Sequence, residues 1–292
     1  MPGLVYALLT AIAWAVAVVL FRRAGEIMPP LALNVHKNAI AAVLISATLI
    51  VAGEPPWPSP EIHDVLLLLG SGVVGLAVAD TVFFHSLNLL GASRSAIVDA
   101  LYVPCVLVLS YLYLGERLVP VHVLGAALVV GGVLITVGDA GTTAQPSARS
   151  AAGVLLGVLA MAMMAGAIVI VKPILAHYSV LWVTWMRMVG GVAGMLVFGL
   201  LRPAGRQGIV LGLRPQRAWR FAVPGTIAGT YLAMILWIAG FKYANASLAA
   251  ILNQTSTLWT VLLARLFLGE PLTARRVVAV AMAVAGGLLV VT

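Results

Sequence analysis

Apolar residues occur along the chain in long runs, separated by short segments that are polar or contain glycine and proline. A run of about 18 or more apolar residues is long enough to cross the hydrocarbon core of a bilayer as an α-helix. The runs therefore predict an all-α integral membrane protein. Ten transmembrane helices are predicted, at 3–22, 31–52, 64–84, 93–114, 119–138, 153–174, 179–201, 218–239, 247–268 and 273–291.

The sequence repeats itself between its two halves. The stretch YLYLGERL at 111–118 matches RLFLGEPL at 265–272, and the offset is 154 residues (269 − 115). Upstream of this motif, an offset of 150 residues (187 − 37) aligns Lys37 with Arg187. Charged residues are rare in this apolar background, so a match between two basic residues is more informative than one between small apolar residues.

Each half therefore contains five predicted helices. Because five is odd, the second half must enter the membrane with the opposite orientation, which makes the fold an inverted repeat. We predict a first five-helix repeat at 1–138, a linker at 139–152 and a second five-helix repeat at 153–292. Inverted repeats are typical of transporters, in which two similar bundles exchange inward-open and outward-open forms around a central site.

The repeated Gly-Glu is interpreted locally as a tight helical hairpin. Gly115 and Gly269 fit the left-handed position that ends a helix, and Pro120 fits the first turn of the next helix. Glu116 and Glu270 then lie near the N-terminus of that following helix, where the helix dipole favours a carboxylate. A structural role is therefore expected for this motif, rather than substrate binding.

Composition supports the membrane interpretation and excludes several function classes. The 292 residues are 62% hydrophobic and 9% charged, whereas about a quarter of the residues of a soluble domain are charged. The net charge of +8 comes mostly from loop arginines, which favours anionic lipid headgroups over nucleic acid as the partner. The single cysteine, Cys105, leaves no intramolecular disulfide and no cysteine-based metal site.

One stretch fits a nucleotide-binding pattern but lies in the wrong context. GSGVVG at 70–75 matches G-x-G-x-x-G, which binds dinucleotides only after a strand in a soluble strand–helix unit. Within an apolar span, these small residues are expected to let helices approach closely. No catalytic motif is found, so neither an enzyme, nor a cofactor, nor a metal site is predicted.

Four charged side chains lie well inside the predicted spans: Lys37, Asp80, Asp99 and Arg187. A charge at the bilayer centre costs about 2.5–3.5 kcal/mol when it faces lipid. These four residues are therefore expected to face the bundle interior, to form pairs, or to reach water.

Helix depth groups one set of polar residues near one mouth of the bundle. Lys37, Asp80, His85 and Asp99 are expected at similar depth on three neighbouring helices. We predict a hydrated ionic cluster in which Lys37 pairs with one carboxylate. Asp80, His85 and Asp99 are the ion-coupling candidates, because the unpaired carboxylate could carry a proton or bind an amine. A structural ion pair with an interfacial histidine is the alternative.

The second half keeps the cation and replaces the acid by an amide, because Asn253 aligns with Asp99. Arg187 has no acidic partner in its own half, so its forked donors are a candidate for binding a substrate carboxylate or phosphate. Backbone carbonyls at a helix end are the alternative partner, and the tryptophans could equally serve packing. The candidate substrate-binding residues of a central cavity are Trp14, Lys37, Asp99, Trp185, Arg187, Trp237, Asn253 and Gln254.

Taken in order, these features resemble the EamA family of the drug/metabolite transporter superfamily. The resemblance rests on the two five-helix halves, on the Gly-Glu hairpin between the fourth and fifth helix of each half, and on Trp14 and Pro104. GASRSAIV at 91–98 and NASLAAIL at 245–252, which open the fourth and ninth helices, complete it. The resemblance covers nearly the whole chain.

This sequence departs from the family pattern at several positions. Leu258 replaces a proline that relatives often have, and Lys37 stands where many have arginine. Asp80, His85 and Asp99 lie outside the usual pattern altogether. The family label therefore does not fix the substrate.

The resemblance implies a secondary transporter of the cell (inner) membrane, present as a monomer or homodimer. It implies export of a small amphipathic metabolite, amino-acid-like or drug-like, by alternating access. It also implies cytoplasmic termini, although most loop arginines lie on the opposite side, which the positive-inside rule assigns to the cytoplasm.

Two other functions stay open. One is a carrier of anionic sugar phosphates or nucleotide sugars, in which Lys37 and Arg187 would hold the phosphate. The other is a structural or sensory membrane bundle that transports nothing.

Overall fold

The computed structural model describes residues 2–117, 119–137, 148–201 and 203–289, and these residues form helices joined by short connections, with no strand among them. In chain order the α-helices are α1 (Pro2–Ala24), α2 (Pro30–Val51), α3 (Ile62–Gly72), α4 (Asp80–Leu90), α5 (Ala92–Asp99), α6 (Tyr102–Leu114), α7 (Pro120–Val137), α8 (Ala148–Val169), α9 (Val180–Leu201), α10 (Pro203–Leu213), α11 (Trp219–Gly225), α12 (Ala233–Tyr243), α13 (Ala246–Asn253), α14 (Ser256–Leu268) and α15 (Ala274–Leu289). Wider π-helical turns join α3 to α4 at Val73–Ala79 and α11 to α12 at Thr226–Leu232, and a 3₁₀ turn follows α8 at Pro173–Ala176.

Seven helical segments of the described residues are long and apolar enough to cross a membrane: Pro2–Ala24, Pro30–Val51, Ile62–Leu90, Ala92–Leu114, Arg149–Val169, Val180–Leu201 and Trp219–Tyr243. Shorter apolar helices occupy Pro120–Ile135 and Ser256–Leu268. The tenth predicted span corresponds to α15, which has 16 residues. The predicted linker falls largely on 138–147, outside the described residues, and its last part already belongs to α8.

Large apolar side chains cover the outside of these helices. Val43, Val123 and Leu155 are exposed, as are many others of their kind. So many exposed large apolar side chains are unusual for a soluble protein, and they fit helices that meet lipid.

The third membrane segment is longer than predicted. The apolar run ends at 84, but the helix continues to Leu90 because its polar residues find partners inside the protein. The hydroxyl of Ser86, which is fully buried, donates to the carbonyl of Gly153 at 2.8 Å. Asp80 is therefore ten residues from the end of α4, about 15 Å at the helical rise, and lies deeper than expected.

The two halves follow the same helical plan. The helices α5 and α6 have 8 and 13 residues, and so do α13 and α14 at an offset of 154 residues. Gly115 and Gly269 end α6 and α14 with φ of 69° and 68°. These left-handed values are the helix ends that the hairpin interpretation predicted.

The first helix of each half packs on helices of the other half. The first helix, α1, packs on α12 and α14 of the second half, while α8 packs on α4 and α6 of the first. The final helices of the halves, α7 and α15, pack on each other. Phe21, Phe84, Trp182 and Phe241 belong to one continuous buried core. The two halves therefore form one folded unit.

Glycines set the distance between α3 and α9, as expected for GSGVVG in an apolar span. A Cβ atom on Gly72 would lie 2.0 Å from the carbonyl oxygen of Arg187, and one on Gly190 would lie 2.2 Å from that of Leu69. Only glycine allows backbones this close. The contact fixes the part of α9 that carries Arg187 against the first half.

The glutamate of the second hairpin has a partner that its position in sequence did not predict. The prediction placed it near the start of the following helix, α15, and its Oε2 atom lies 3.7 Å from Nη1 of Arg276 in that helix. The carboxylate of Glu270 also accepts the backbone N–H groups of Ala92 and Ser93, at the start of α5 in the other half. The motif thus joins the two halves.

Candidate functional site

A buried cavity lies between the two halves. Its volume is about 80 Å³, and a water molecule needs about 10–15 Å³ on the same scale, so the cavity can hold several waters or a small ligand. Its polar and aromatic lining comprises Thr10, Trp14, Lys37, Asp80, Asp99, Tyr102, Arg187, Thr230, Trp237, Asn253, Gln254 and Ser256.

Irregular helix segments surround this cavity. Asp80 and Ala233 each come directly after a π-helical turn. Asp99 and Asn253 are the last residues of α5 and α13, at the points where two membrane segments are broken. Broken helices and π-turns expose backbone groups and are common at ligand sites in membrane proteins.

The break after α5 follows from proline chemistry. Pro104 has no N–H to donate to the carbonyl of Ala100, four residues earlier, and its ring crowds that carbonyl. The chain tightens there instead, and the N–H of Val103 donates to Ala100 O at 3.2 Å. Pro104 therefore accounts for the break after α5.

The break after α13 needs no proline, since Leu258 stands at the matching position. Polar side chains provide the alternative bonds. The hydroxyl of Thr255 donates to Leu252 O at 2.8 Å. The amide of Gln254 donates to the hydroxyl of Thr257, which donates to Ala96 O at 3.1 Å. Gln254 thus lines the cavity and also supports the break.

Lys37 and Asp80 form the predicted ion pair. Lys37 Nζ lies 2.6 Å from Asp80 Oδ2, and both side chains are buried. The neighbouring residue Asn34 donates its amide to Leu76 O at 2.8 Å and to Ala77 O at 3.1 Å. These carbonyls belong to the π-turn that precedes Asp80, so Asn34 stabilises the turn that orients the carboxylate.

Arg187 is buried but only partly satisfied. Its side chain is 1% exposed, and its Nε and Nη1 atoms have no hydrogen-bond partner in the described part of the chain. The guanidinium carbon lies 5.3 Å from the centroid of the Trp237 ring. Asp80 and Tyr102 are within Coulombic range of it. A buried charged donor left without a partner costs free energy. A ligand or a bound water that accepts a hydrogen bond from this group would remove that cost.

Three further lining atoms also lack partners among the described residues. They are Tyr102 Oη, Thr230 Oγ1 and Asn253 Oδ1. Buried polar atoms without partners are rare in native proteins and each needs an explanation. Several such atoms converging on one cavity with Arg187 indicate a binding site for a polar ligand.

Asp99 is the second carboxylate of the cavity. It lies beside the indole of Trp14 and within Coulombic range of Asp80. No ion pair with a lysine or arginine is found for it in the described ranges. With Lys37, Arg187, Asp80 and Asp99 all ionised, the formal charge of the cavity is zero.

The structure brings most of the predicted site residues to this cavity. The predicted residues that line it are Trp14, Lys37, Asp80, Asp99, Arg187, Trp237, Asn253 and Gln254. Tyr102, Thr230 and Asn34 were not predicted. The spacing of Asn34, Lys37 and Asn38 on one helical face was a usable signal for Asn34, because polar residues inside a span face the protein interior.

Two predicted residues lie elsewhere. His85 is exposed, because five residues after Asp80 a side chain points about 140° away around the helix. The grouping of His85 with Lys37, Asp80 and Asp99 is therefore corrected. Trp185 is partly buried beside the cavity, and its indole N–H donates to Ser46 Oγ at 2.9 Å.

The fold and site together define a helical, multi-pass membrane protein whose two similar halves enclose a polar cavity. The sequence model of the EamA-like transporter family matches residues 1–138 and 151–292. The chain belongs to this family, a member of the drug/metabolite transporter superfamily. The two matches correspond to the two halves, and the resemblance noted from the sequence is confirmed.

Individual relatives are distant. An uncharacterized transporter of Archaeoglobus fulgidus is 22% identical over 133 residues, which cover 46% of this chain and 47% of that protein. The match thus spans about half the length of that curated relative. A solved crystal structure superposes with a TM-score of 0.71 over 98% of this chain and 95% of its own, at 18% identity. At that identity the likeness concerns the fold.

Proposed function

We propose that this chain is a secondary transporter that exports a small amphipathic, amino-acid-like metabolite by alternating access. The observation that carries this proposal is Arg187, a buried guanidinium in a central cavity with two nitrogens that have no partner among the described residues. A substrate carboxylate would accept from one of these two N–H groups, which lie on different edges of the guanidinium, and the opposite charges would strengthen that hydrogen bond.

The charge balance of the cavity favours a zwitterion. A dianionic phosphate would need an excess of positive charge, but the two cations are matched by Asp80 and Asp99. Asp99 could meet a substrate ammonium group, while Trp14 and Trp237 offer apolar walls for a side chain. A molecule that carries both an acid and an amine leaves the net charge of the site unchanged.

The sugar-phosphate alternative is less well supported. It requires Lys37 and Arg187 to act together on a phosphate. Lys37 is already bound to Asp80 at 2.6 Å in a buried pair, and breaking such a pair leaves an uncompensated charge. A purely structural bundle is also less well supported, because it gives no role to the buried donors of Arg187 that lack partners within the described ranges.

Contacts between connections support a ten-span inverted topology. If the chain crosses the membrane ten times, the starts of α5 and α15 share one face with the end of α14. On this face, called the α5 face, Glu270 contacts Ala92 and Arg23 Nη2 donates to Phe267 O at 3.0 Å. On the opposite face, called the α13 face, Lys172 Nζ donates to Phe241 O and Ala244 O at 2.5 and 2.9 Å.

The α13 face would carry both termini, and the family resemblance favours its being cytoplasmic. The arginine-rich α5 face makes the opposite arrangement the alternative. A reporter fused to the C-terminus decides between them: a fluorescent protein that folds only in the cytoplasm should be active there. Activity only of a reporter that requires the periplasm would reverse the orientation.

The transport proposal is tested with purified protein in liposomes. Counterflow of a labelled neutral amino acid is expected, with competition by other zwitterions and none by sugar phosphates. Competition by sugar phosphates alone would favour the phosphate carrier. Absence of flux for every class, with folded protein, would remove the transport function.

A further inference from the structure

Glu270 closes a contact between the two halves at the α5 face. Its Oε1 atom accepts the N–H of Ala92 at 2.7 Å, and its Oε2 atom accepts the N–H of Ser93 at 3.0 Å. One carboxylate therefore satisfies two of the first backbone donors of α5, which have no backbone acceptor within that helix. The helix dipole adds to the attraction.

The residues around this carboxylate leave room for it and hold it in place. Gly91 has φ of 80°, and a Cβ atom there would lie 2.9 Å from Glu270 Oε1. Arg276 is buried, lies 3.7 Å from Glu270 Oε2, and donates to Pro271 O at 2.7 Å. The arginine thus holds the hairpin and helps to direct the carboxylate at α5.

The helix that Glu270 caps leads directly to the cavity. It has eight residues, Ala92–Asp99, and its last residue is the carboxylate that lines the site. Eight helical residues span about 12 Å. Because a short helix moves as a rigid body, the contact at its outer end fixes the position of Asp99 at its inner end.

We propose that Glu270 is a positioning residue for Asp99 and holds the α5 face closed. This inference rests on the proposed transport function, since it assumes that the cavity opens to each side in turn. Opening at the α5 face requires α5 to move away from the second hairpin, so the two hydrogen bonds of Glu270 must break. The repeated Gly-Glu would then couple the state of this face to the site.

The test measures access to the cavity from each face separately. In a background with Cys105→Ser, the substitution Met234→Cys places one thiol on the cavity lining. A membrane-impermeant maleimide is applied to sealed vesicles of known, opposite orientations, and the labelling rate is measured for each face. This readout needs no substrate, so it can fail or succeed independently of the transport proposal.

Glu270→Ala is expected to raise the labelling rate from the α5 face by about 2- to 30-fold, the equilibrium equivalent of losing a helix cap. The rate from the α13 face should stay constant or fall. Glu270→Gln keeps one acceptor oxygen but loses the charge, so a smaller rise in the same direction is expected. If the alanine variant does not fold, the glutamine variant carries the test.

Glu26→Ala is the matched control, because Glu26 also pairs with an arginine at 3.7 Å on the same face but is exposed. Its labelling rates should match those of the parent. An equal rise from both faces in the Glu270 variants would indicate general loosening and overturn the proposal. Unchanged rates in a folded Glu270 variant would also overturn it.

Discussion

The two halves of this protein share one helical plan but carry different chemistry on it. In the first half, Lys37 is bound to Asp80, the first residue after the π-turn. In the second half, Arg187 matches Lys37, but the first residue after the π-turn is Ala233. The acid is missing at this position, and two nitrogens of Arg187 have no partner in the part of the chain that the structure describes. The repeated helices form the scaffold, and the residues that differ between the two halves give the site its arrangement of charged groups.

The largest loss of stability is expected when the acid is removed from the first half as well. Asp80→Ala reproduces Ala233 and leaves Lys37 buried without a partner. The free energy of unfolding should fall by about 3–5 kcal/mol, because a broken buried pair leaves an uncompensated charge. Thermal unfolding in detergent measures it. The double variant Asp80→Ala/Lys37→Met should recover most of the loss, and failure to recover would mean that the pair is not the cause.

Neutralising the cation of the second half should lower the affinity for substrate and leave the stability of the fold unchanged. Arg187→Gln should weaken substrate binding about 10- to 150-fold, as expected for losing hydrogen bonds of about 1.5–3 kcal/mol to a charged group. The thermal stability should hold, since two of the guanidinium nitrogens bond nothing in the described protein. Binding and unfolding are measured on the same sample, with Lys37→Gln as the matched variant. A loss of stability as large as that of Lys37→Gln would erase the distinction.

Exchanging the residues at the helix breaks tests a finer difference. Asp99→Asn copies Asn253 into the first half and keeps the shape of the side chain. Affinity for a zwitterion should fall about fivefold, the difference of about 1 kcal/mol between a charged and a neutral hydrogen bond. The pH dependence of transport should flatten, because the carboxylate that could take up a proton is gone. An unchanged pH profile in flux measurements would remove the coupling role.

The smallest effect is expected at the residue that the structure separates from the site. His85 is exposed and does not line the cavity. His85→Ala should change the free energy of unfolding by less than about 0.5 kcal/mol, as is usual for surface positions. Flux and its pH profile should match the parent within error. A shifted pH profile would return His85 to the list of coupling residues.

The sequence predicted those features that depend on local chemistry or on rare residue types. The hairpins at Gly115 and Gly269 follow from glycine at a left-handed position. The pairing of Lys37 could be expected because charges inside lipid need partners. Seven of the eight predicted binding residues line the cavity for the same reason, since polar and aromatic side chains inside a span tend to face the protein interior.

The features that the sequence did not predict depend on contacts between distant segments. The π-turn at Val73–Ala79 lies in an unbroken apolar run, and the donor that stabilises its carbonyls is Asn34 on another helix. The hydrogen-bond partner of Glu270 at the start of α5 lies in the other half, 178 residues away. Hydropathy and spacing describe one segment at a time, so they carry no information on such partners.

The exchange of α1 and α8 between the halves has a consequence for biogenesis. The helix α1 packs on α12 and α14, which are synthesised more than 200 residues later. Until the ribosome has delivered the C-terminal third of the chain, α1 lacks the neighbours that bury its inner surface. Folding that depends on contacts so distant in sequence is slow. We therefore expect the first half to stay incompletely packed in the bilayer, alone or bound to an insertase, until the second half has been synthesised and inserted.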